Sequence, residues 1–211
     1  MILMIKLILF DLWQTLAYHG TKHGGIKKMM KVSGTKISQR KFTKIFEKSL
    51  QTKKWDSKKK AYLNLCKNIG IKTTDSNATE LMRIRDKEEK KANLYVETIP
   101  LLKALKKNGY KTGLVSNSSV FAIKQVKKNT KILNHIDFAV FSYDVGAIKP
   151  SKKVFTKALQ LAKCKPSETV MIGDKFGDDV KTPKMLGMHA IHFKDFGQLK
   201  KALKKLNIKT N

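Results

Sequence analysis

Four stretches of this chain carry residue types that could do chemistry together. They are Asp11 and Thr15 in F-D-L-W-Q-T-L, Ser116-Asn117 in L-V-S-N-S-S, Lys149 in G-A-I-K-P, and the acidic run G-D-K-F-G-D-D at residues 173–179. A carboxylate can attack phosphorus, a hydroxyl and an ammonium can hold the equatorial oxygens, and further carboxylates can hold a divalent cation against the accumulated charge. That combination is a phosphoryl-transfer site. Each group taken singly has a plainer reading. Asp11 can end a strand, Ser116-Asn117 can be a turn, Lys149 can be one lysine of many, and Asp178 or Asp179 can cap a helix. Their joint occurrence in order points to a site.

Groups so far apart in sequence need a scaffold that gathers them. Ile5–Leu16 is almost continuously apolar up to Asp11, the pattern of a strand buried on both faces. Further strands are expected at Tyr110–Val115, Phe138–Phe141, Thr169–Ile172 and Ala190–Phe193, alternating with amphipathic helices. Those helices begin at Pro100, cover Ala122–Asn134, follow Pro150-Ser151 and close the chain over Leu199–Leu206. Such alternation predicts an α/β fold, a three-layer parallel sheet core whose strand ends share one edge, where ligands bind. Asp11, Ser116, Lys149 and Asp174 all fall at or just past those ends.

Between the first strand and the rest the pattern is helical. A short apolar piece at Ile26–Val32 is followed by helices beginning at Ser38, at Asp56 and at Asp75 or Ser76, with no strand from Ser38 to Ala92. The expected organisation is a core of residues 1–16 and 95–211 with an all-helical insertion at 17–94. Pro183, in the segment after the acidic run, costs little if it falls in the first turn of a helix.

The 211 residues carry 45 basic and 16 acidic side chains, a formal charge of +29 and a pI near 10.1. A nucleic-acid binder would show such a charge. Yet only Arg40, Arg83 and Arg85 are arginines, the better residue for bidentate phosphate and base contacts, and the lysines are spread over ordinary helix faces. Non-specific attraction to polyanions is expected, and specific nucleic-acid recognition is not. No segment is long and apolar enough to span a bilayer, so no membrane association and a cytoplasmic location are expected. Cys66 and Cys164 lack metal or disulfide spacing and read as reduced, packed thiols. The five histidines lack ligand spacing; His19 and His23 stand four apart, but Gly20 argues against a helix there.

In these four motifs the chain resembles the haloacid dehalogenase (HAD) superfamily. F-D-L-W-Q-T-L is similar to its first motif, L-V-S-N-S-S to the second, G-A-I-K-P to the lysine motif and V-M-I-G-D-K-F-G-D-D-V to the acidic fourth. The insertion sits where the family's first-position cap goes. The resemblance implies a hydrolase in which Asp11 is the nucleophile, Thr15 supports it, Ser116 bonds a phosphoryl oxygen and Lys149 neutralises charge on both. It implies Mg2+ held by Asp11, the Trp13 carbonyl and Asp174, with Asp178 or Asp179 in support, an all-oxygen set of the kind magnesium prefers. Trp13 and Asn117 would border the substrate. Arg40 lies roughly where dehalogenases carry a carboxylate-binding arginine.

One position departs from the family's phosphatases: where they place a second Asp as general acid, this chain has Trp13. Three readings stay open for an enzyme: hydrolysis of a phosphate whose leaving group needs no proton, a slow phosphatase aided by substrate or water, or the dehalogenase branch, where this position is aromatic. The paired acids of the fourth motif favour a magnesium-dependent phosphatase of a small phosphorylated metabolite over a halogenated substrate. A non-catalytic, polyanion-attracted HAD-like protein is the remaining alternative.

Overall fold

The computed structural model describes residues 4–21 and 25–210. His23 lies outside them. The first strand, β1 (Leu7–Phe10), has all four residues fully buried. Its side chains alternate between two apolar clusters. Ile8 and Phe10 join Leu114, Val170 and Ile172 with residues of helices on one face. Leu7 and Leu9 join Val115, Val140 and Met171 with Val154, Phe155 and Ala158 on the other. A period of two with both faces covered is why the strand reads as an unbroken apolar run.

Around β1 lie β4 (Lys111–Ser116), β5 (Phe138–Phe141), β6 (Thr169–Gly173) and β7 (His189–His192), in the order β5-β4-β1-β6-β7. Every pairing is parallel, with Phe10 opposite Leu114 on one side and Ile172 on the other. Leu101, Leu102 and Leu105 of α5 (Thr98–Lys107) and Leu199 and Leu203 of α10 (Phe196–Lys205) cover the first face. α8 (Lys152–Ala162) covers the second. The predicted α/β core is therefore the observed one.

The insertion folds as α1 (Ile26–Ser33), α2 (Gln39–Gln51), α3 (Lys58–Asn68) and α4 (Asp75–Glu89) around their own apolar cluster, which includes Met29, Phe42, Leu50, Tyr62, Leu65 and Leu81. Ser38 caps α2 by accepting from Lys41 N, as its position before the apolar stripe predicts. Helix α4 starts at Asp75, one of its two expected starts, whereas α3 starts at Lys58, two residues past the expected Asp56. Ser57 caps α3 and Thr74 caps α4, their hydroxyls accepting from Lys60 N and Asn77 N. A short antiparallel pair that the hydropathy pattern does not show, β2 (Ala17–Tyr18) with β3 (Asn93–Leu94), ties the two ends of the insertion together. Two residues per strand are too few for a periodicity to register.

Helix α5 begins at Thr98, two residues ahead of Pro100, which still falls in the first turn where its missing N–H goes unused. The helix expected over Ala122–Asn134 ends earlier, as α6 (Val120–Asn129), and a 3₁₀ turn follows at Ile132–His135. A further turn, α7 (Ser142–Val145), is too short for a hydrophobic period. After β6 the chain makes a π-helical turn over Phe176–Lys181, and Pro183 then opens α9 (Thr182–Met185). No helix among the described residues is long and apolar enough to cross a membrane.

Candidate active site

Asp11 directly follows β1, its N–H donating to Ile172 O at the tip of β6. The next residues turn back sharply: Ala17 N donates to Leu12 O, Gln14 N donates to Ala17 O, and Gln14 adopts a left-handed φ of 63°. This tight loop leaves Asp11 at the sheet edge, 6% exposed.

Lys149 meets it there. Its Nζ lies 2.6 Å from Asp11 Oδ1 and 2.7 Å from Asp179 Oδ1, with all three side chains buried. The lysine is gripped by Asn117, whose Oδ1 accepts from Lys149 N at 2.7 Å and whose Nδ2 donates to Lys149 O at 3.2 Å. Asn117 thus positions the ammonium as well as bordering the cavity.

Asp11, Asp174 and Asp179 each place a carboxylate oxygen within 4.8 Å of the others. Asp179 is fixed from behind, its Oδ2 accepting from Lys175 N at 3.0 Å. Of the two acids open in the sequence, the π-helical turn brings Asp179 to Lys149, while Asp178 borders the cavity. Gly173 makes room for this: a Cβ there would come within 2.4 Å of Asp179 Cγ and Oδ2.

The electrostatics follow from burial. Desolvation raises Asp11 to about 7; Lys149 opposes the rise, and Asp179 and Asp174 add to it. Asp174 is raised by burial and by Asp179. Burial acts to lower Lys149, but Asp11 and Asp179 outweigh it and hold the ammonium charged, above its usual range. Three carboxylates against one ammonium in direct contact form an oxygen-only set with surplus negative charge, which fits a small divalent cation.

A cavity of about 300 Å³ opens above these groups, between the sheet edge and the helical insertion. Its lining brings together Asp11, Trp13, Asn117, Lys149 and Asp174 from the expected set. Thr15 and Ser116 are fully buried and do not border it. Ser116 Oγ is 2.9 Å from Ser118 Oγ, which accepts from Trp13 Nε1 at 2.9 Å. Thr15 Oγ1 has no hydrogen-bond partner.

Arg40 does not join this site. It is exposed at the start of α2, away from the cavity lining. The arginine at the cavity is Arg85 of α4, 5% exposed, paired with Glu89 at 2.8 Å and set over the Phe46 ring. Arg85 follows Leu81 by four residues, so it falls on that helix's apolar stripe, a signal visible in the sequence. Arg85 Nη2 also reaches His19 Nε2 at 3.2 Å, and His19 stacks on Trp13 with ring centroids 3.7 Å apart. Burial, aided by the Arg85 charge, depresses His19 to about 2, so the ring is neutral. Gln51, Glu47 and Lys175 complete much of the wall, the last two paired at 3.0 Å. Lys175 lies inside the acidic fourth motif, whereas Gln51 and Glu47 lie in no recognisable motif.

The fold and site define an open parallel α/β protein with a carboxylate–lysine–carboxylate cluster at the carboxyl edge of its sheet. The chain belongs to the haloacid dehalogenase-like hydrolase family, whose model matches residues 5–187. It is 37% identical over 99 residues to a glyceraldehyde 3-phosphate phosphatase of Methanothermobacter thermautotrophicus, a match covering 46% of this chain and 43% of that protein. It is 35% identical over 86 residues to the pyrophosphatase PpaX of Bacillus mycoides, covering 41% of this chain and 40% of that one. The matched stretches thus span less than half of these relatives. Among solved structures, a HAD phosphatase from Thermococcus onnurineus superposes with a TM-score of 0.62 at 24% identity, covering 98% of this chain and 100% of the other. A 2-haloacid dehalogenase from Pseudomonas syringae superposes with a TM-score of 0.63 at 19% identity over 96% and 99% of the two chains. Likeness at these identities establishes the shared fold.

Proposed function

We propose that this chain is a magnesium-dependent phosphatase of a small phosphorylated metabolite, with α1–α4 acting as the cap over its site. One observation carries the reading: Asp11, Asp174 and Asp179 crowd within 4.8 Å around a single contacting ammonium. A metal-free dehalogenase has no use for that surplus of negative charge, whereas a phosphatase needs it to hold a cation. The relatives named as phosphatases and a pyrophosphatase support the same reading. So does the kinship in fold with a HAD family enzyme of Bacteroides thetaiotaomicron whose structure is a complex with magnesium and inorganic phosphate.

Asp11 is the nucleophile: its free oxygen attacks phosphorus, the P–O bond to the leaving group breaks, and an aspartyl phosphate forms that water later hydrolyses. Lys149 holds Asp11 in place and offsets charge on the transferring group. Ser116, closed off from the cavity as it stands, would have to turn its hydroxyl toward the phosphate to bond a phosphoryl oxygen, and Thr15 steadies the loop that carries Asp11. Asp11, Asp174 and the Trp13 carbonyl would hold magnesium, with Asp179 in support; when bound, the ion neutralises charge on the phosphate. Trp13 offers neither acid nor base, so the leaving group must depart without a proton from this position. Acyl phosphates fit that demand best.

Turnover of acetyl phosphate in the presence of magnesium tests the reading. Loss of that turnover with EDTA and in Asp11→Asn is the expected result. Metal-independent release of chloride from 2-chloropropionate, with acetyl phosphate untouched, would replace it with dehalogenation.

A further inference from the structure

Three helices cover the first face of the sheet. Leu101, Leu102 and Leu105 of α5, Ile123 and Val126 of α6, and Leu199 and Leu203 of α10 enter one apolar cluster with Ile8 and Phe10 of β1. The trailing ends of α5 and α10 are also tied together, Lys209 N donating to Tyr110 Oη at 3.2 Å. Side chains on the opposite side of each helix therefore share one outer surface.

That surface is made of ammonium groups. Helix α5 turns out Lys103, Lys106 and Lys107, and α6 turns out Lys124, Lys127 and Lys128. Helix α10 adds Lys200, Lys201, Lys204 and Lys205. All ten are exposed, and the three helices contain no acidic residue. Among the described residues none of the ten is in an ion pair; the lysines that are, such as Lys58, Lys59 and Lys175, lie elsewhere. Like charges gathered on one face repel one another, and a polyanion laid across them relieves the repulsion. None of the ten borders the cavity above Asp11, so the face is separate from the reacting groups.

What the face lacks narrows its occupant. It has no arginine, the residue that reads base edges bidentately, so it does not read sequence. It has no aromatic ring free to stack on the bases of a single strand: Phe121 packs against the apolar cluster of the insertion, and Phe196 is buried. None of the exposed large apolar side chains, which would enter a bilayer, belongs to these helices. Duplex DNA asks for none of these. Its bases are stacked inside, and it presents one phosphate charge for about every 1.7 Å of axis.

We propose that the outer surface of α5, α6 and α10 docks on the phosphate backbone of duplex DNA without regard to sequence. The lysines act as point charges that displace counterions, and the formal charge of +29 steers the approach. Docking there is independent of the phosphatase reading and holds or falls without it.

Fluorescence anisotropy with two short DNA duplexes of unrelated sequence, titrated over a range of salt, tests the assignment. Both duplexes should bind equally, with affinity falling steeply as salt rises. One variant carries Lys103→Gln, Lys106→Gln, Lys204→Gln and Lys205→Gln together. It is expected to bind about tenfold more weakly, with the slope of log affinity against log salt shallower by about 2–4, since each phosphate contact contributes ~0.9. A second set on the same face, Lys124→Gln, Lys127→Gln, Lys200→Gln and Lys201→Gln, should behave alike. A control loses the same charge from exposed lysines of α8 and α2, through Lys152→Gln, Lys153→Gln, Lys157→Gln and Lys44→Gln, and should keep most of its affinity and slope. Equal losses in control and face variants would show that the charge acts diffusely and would overturn the assignment. So would a single strand or phosphatidylserine vesicles binding as tightly as the duplex, or no binding of the duplex at all.

Discussion

Trp13 Nε1 donates to Ser118 Oγ at 2.9 Å, and the same oxygen lies 2.9 Å from Ser116 Oγ. An indole N–H only donates, so Ser118 accepts from it, while between the two serine hydroxyls either oxygen can be the donor. In the arrangement in which Ser118 donates, the Ser116 proton is left for an acceptor in the site. Trp13 thus orders the hydroxyl proposed to hold phosphate. Trp13→Phe keeps the ring but removes the donor, and kcat for acetyl phosphate is expected to fall about tenfold with magnesium affinity unchanged. Steady-state kinetics with a magnesium titration checks this; an unaltered kcat would show that the serine pair needs no help from the indole.

Trp13→Asp makes the opposite trade. It places a carboxyl group beside Asp11 in the cavity, where an acid could protonate a departing alkoxide, an effect worth ~10²–10⁴ in rate. The expected outcome is a rise in the turnover of glycerol 3-phosphate relative to that of acetyl phosphate, whose leaving group needs no proton. A ratio that stays constant, in a folded variant that still binds magnesium, would place residue 13 outside reach of the leaving oxygen.

Lys149 is the buried counter-charge of both Asp11 and Asp179, at 2.6 and 2.7 Å. Lys149→Met strands two buried carboxylates, and breaking a buried pair in this way costs about 3–5 kcal/mol. Urea denaturation should show a loss of that order in EDTA and a partial recovery in magnesium. Recovery is the informative part, because a cation held by the same oxygens would replace the missing charge; its absence would count against a metal there.

Two glycines, six and two residues before Asp179, separate space from sequence proximity. At Gly173 a Cβ would meet Asp179 Cβ at 2.6 Å and its carboxyl group at 2.4 Å, whereas at Gly177 it would meet nothing within 4 Å. Gly173→Ala must push Asp179 off Lys149, costing about 1–3 kcal/mol as overpacking does and most of the phosphatase activity. Gly177→Ala should be close to neutral in both. Thermal unfolding and acetyl phosphate turnover of the pair decide whether Asp179 is the working acid.

The buried ionisable groups give the metal-free protein a particular pH response. His19 is lowered from 6.5 to about 2, so below 6.5 the unfolded chain binds the extra proton and stability falls as the pH drops. Asp11 is raised from 3.8 to about 7, so between those values the folded chain holds the extra proton and stability falls as the pH rises. The two oppose each other from pH 4 to 6.5, each by up to about 1.4 kcal/mol per pH unit. Removing one exposes the other. In EDTA, His19→Phe should make the slope of stability against pH more negative and Asp11→Asn should make it more positive. Urea midpoints at several pH values in that window would show it, and parallel profiles would refute it.

Much of this molecule was legible along the chain. The apolar run into Asp11 marked a doubly buried strand, the alternation after residue 95 marked the parallel sheet, and strand-end motifs placed Lys149 and Asp174 at one edge. These inferences work because burial on a strand or helix has a short, fixed period and because parallel strands must end together. What the tertiary structure alone decided lies where no local period reaches. A π-helical turn, one residue per turn wider than an α-helix, selects Asp179 over Asp178 to meet Lys149. The position of α2 and α4 across the cavity from the sheet edge brings Gln51 and Arg85 to its wall and leaves Arg40 in solvent. The stack of His19 on Trp13 joins a loop residue to the neighbour of the nucleophile. Such pairings depend on how finished elements face one another across a gap, and side chains on opposite walls carry no shared spacing in sequence.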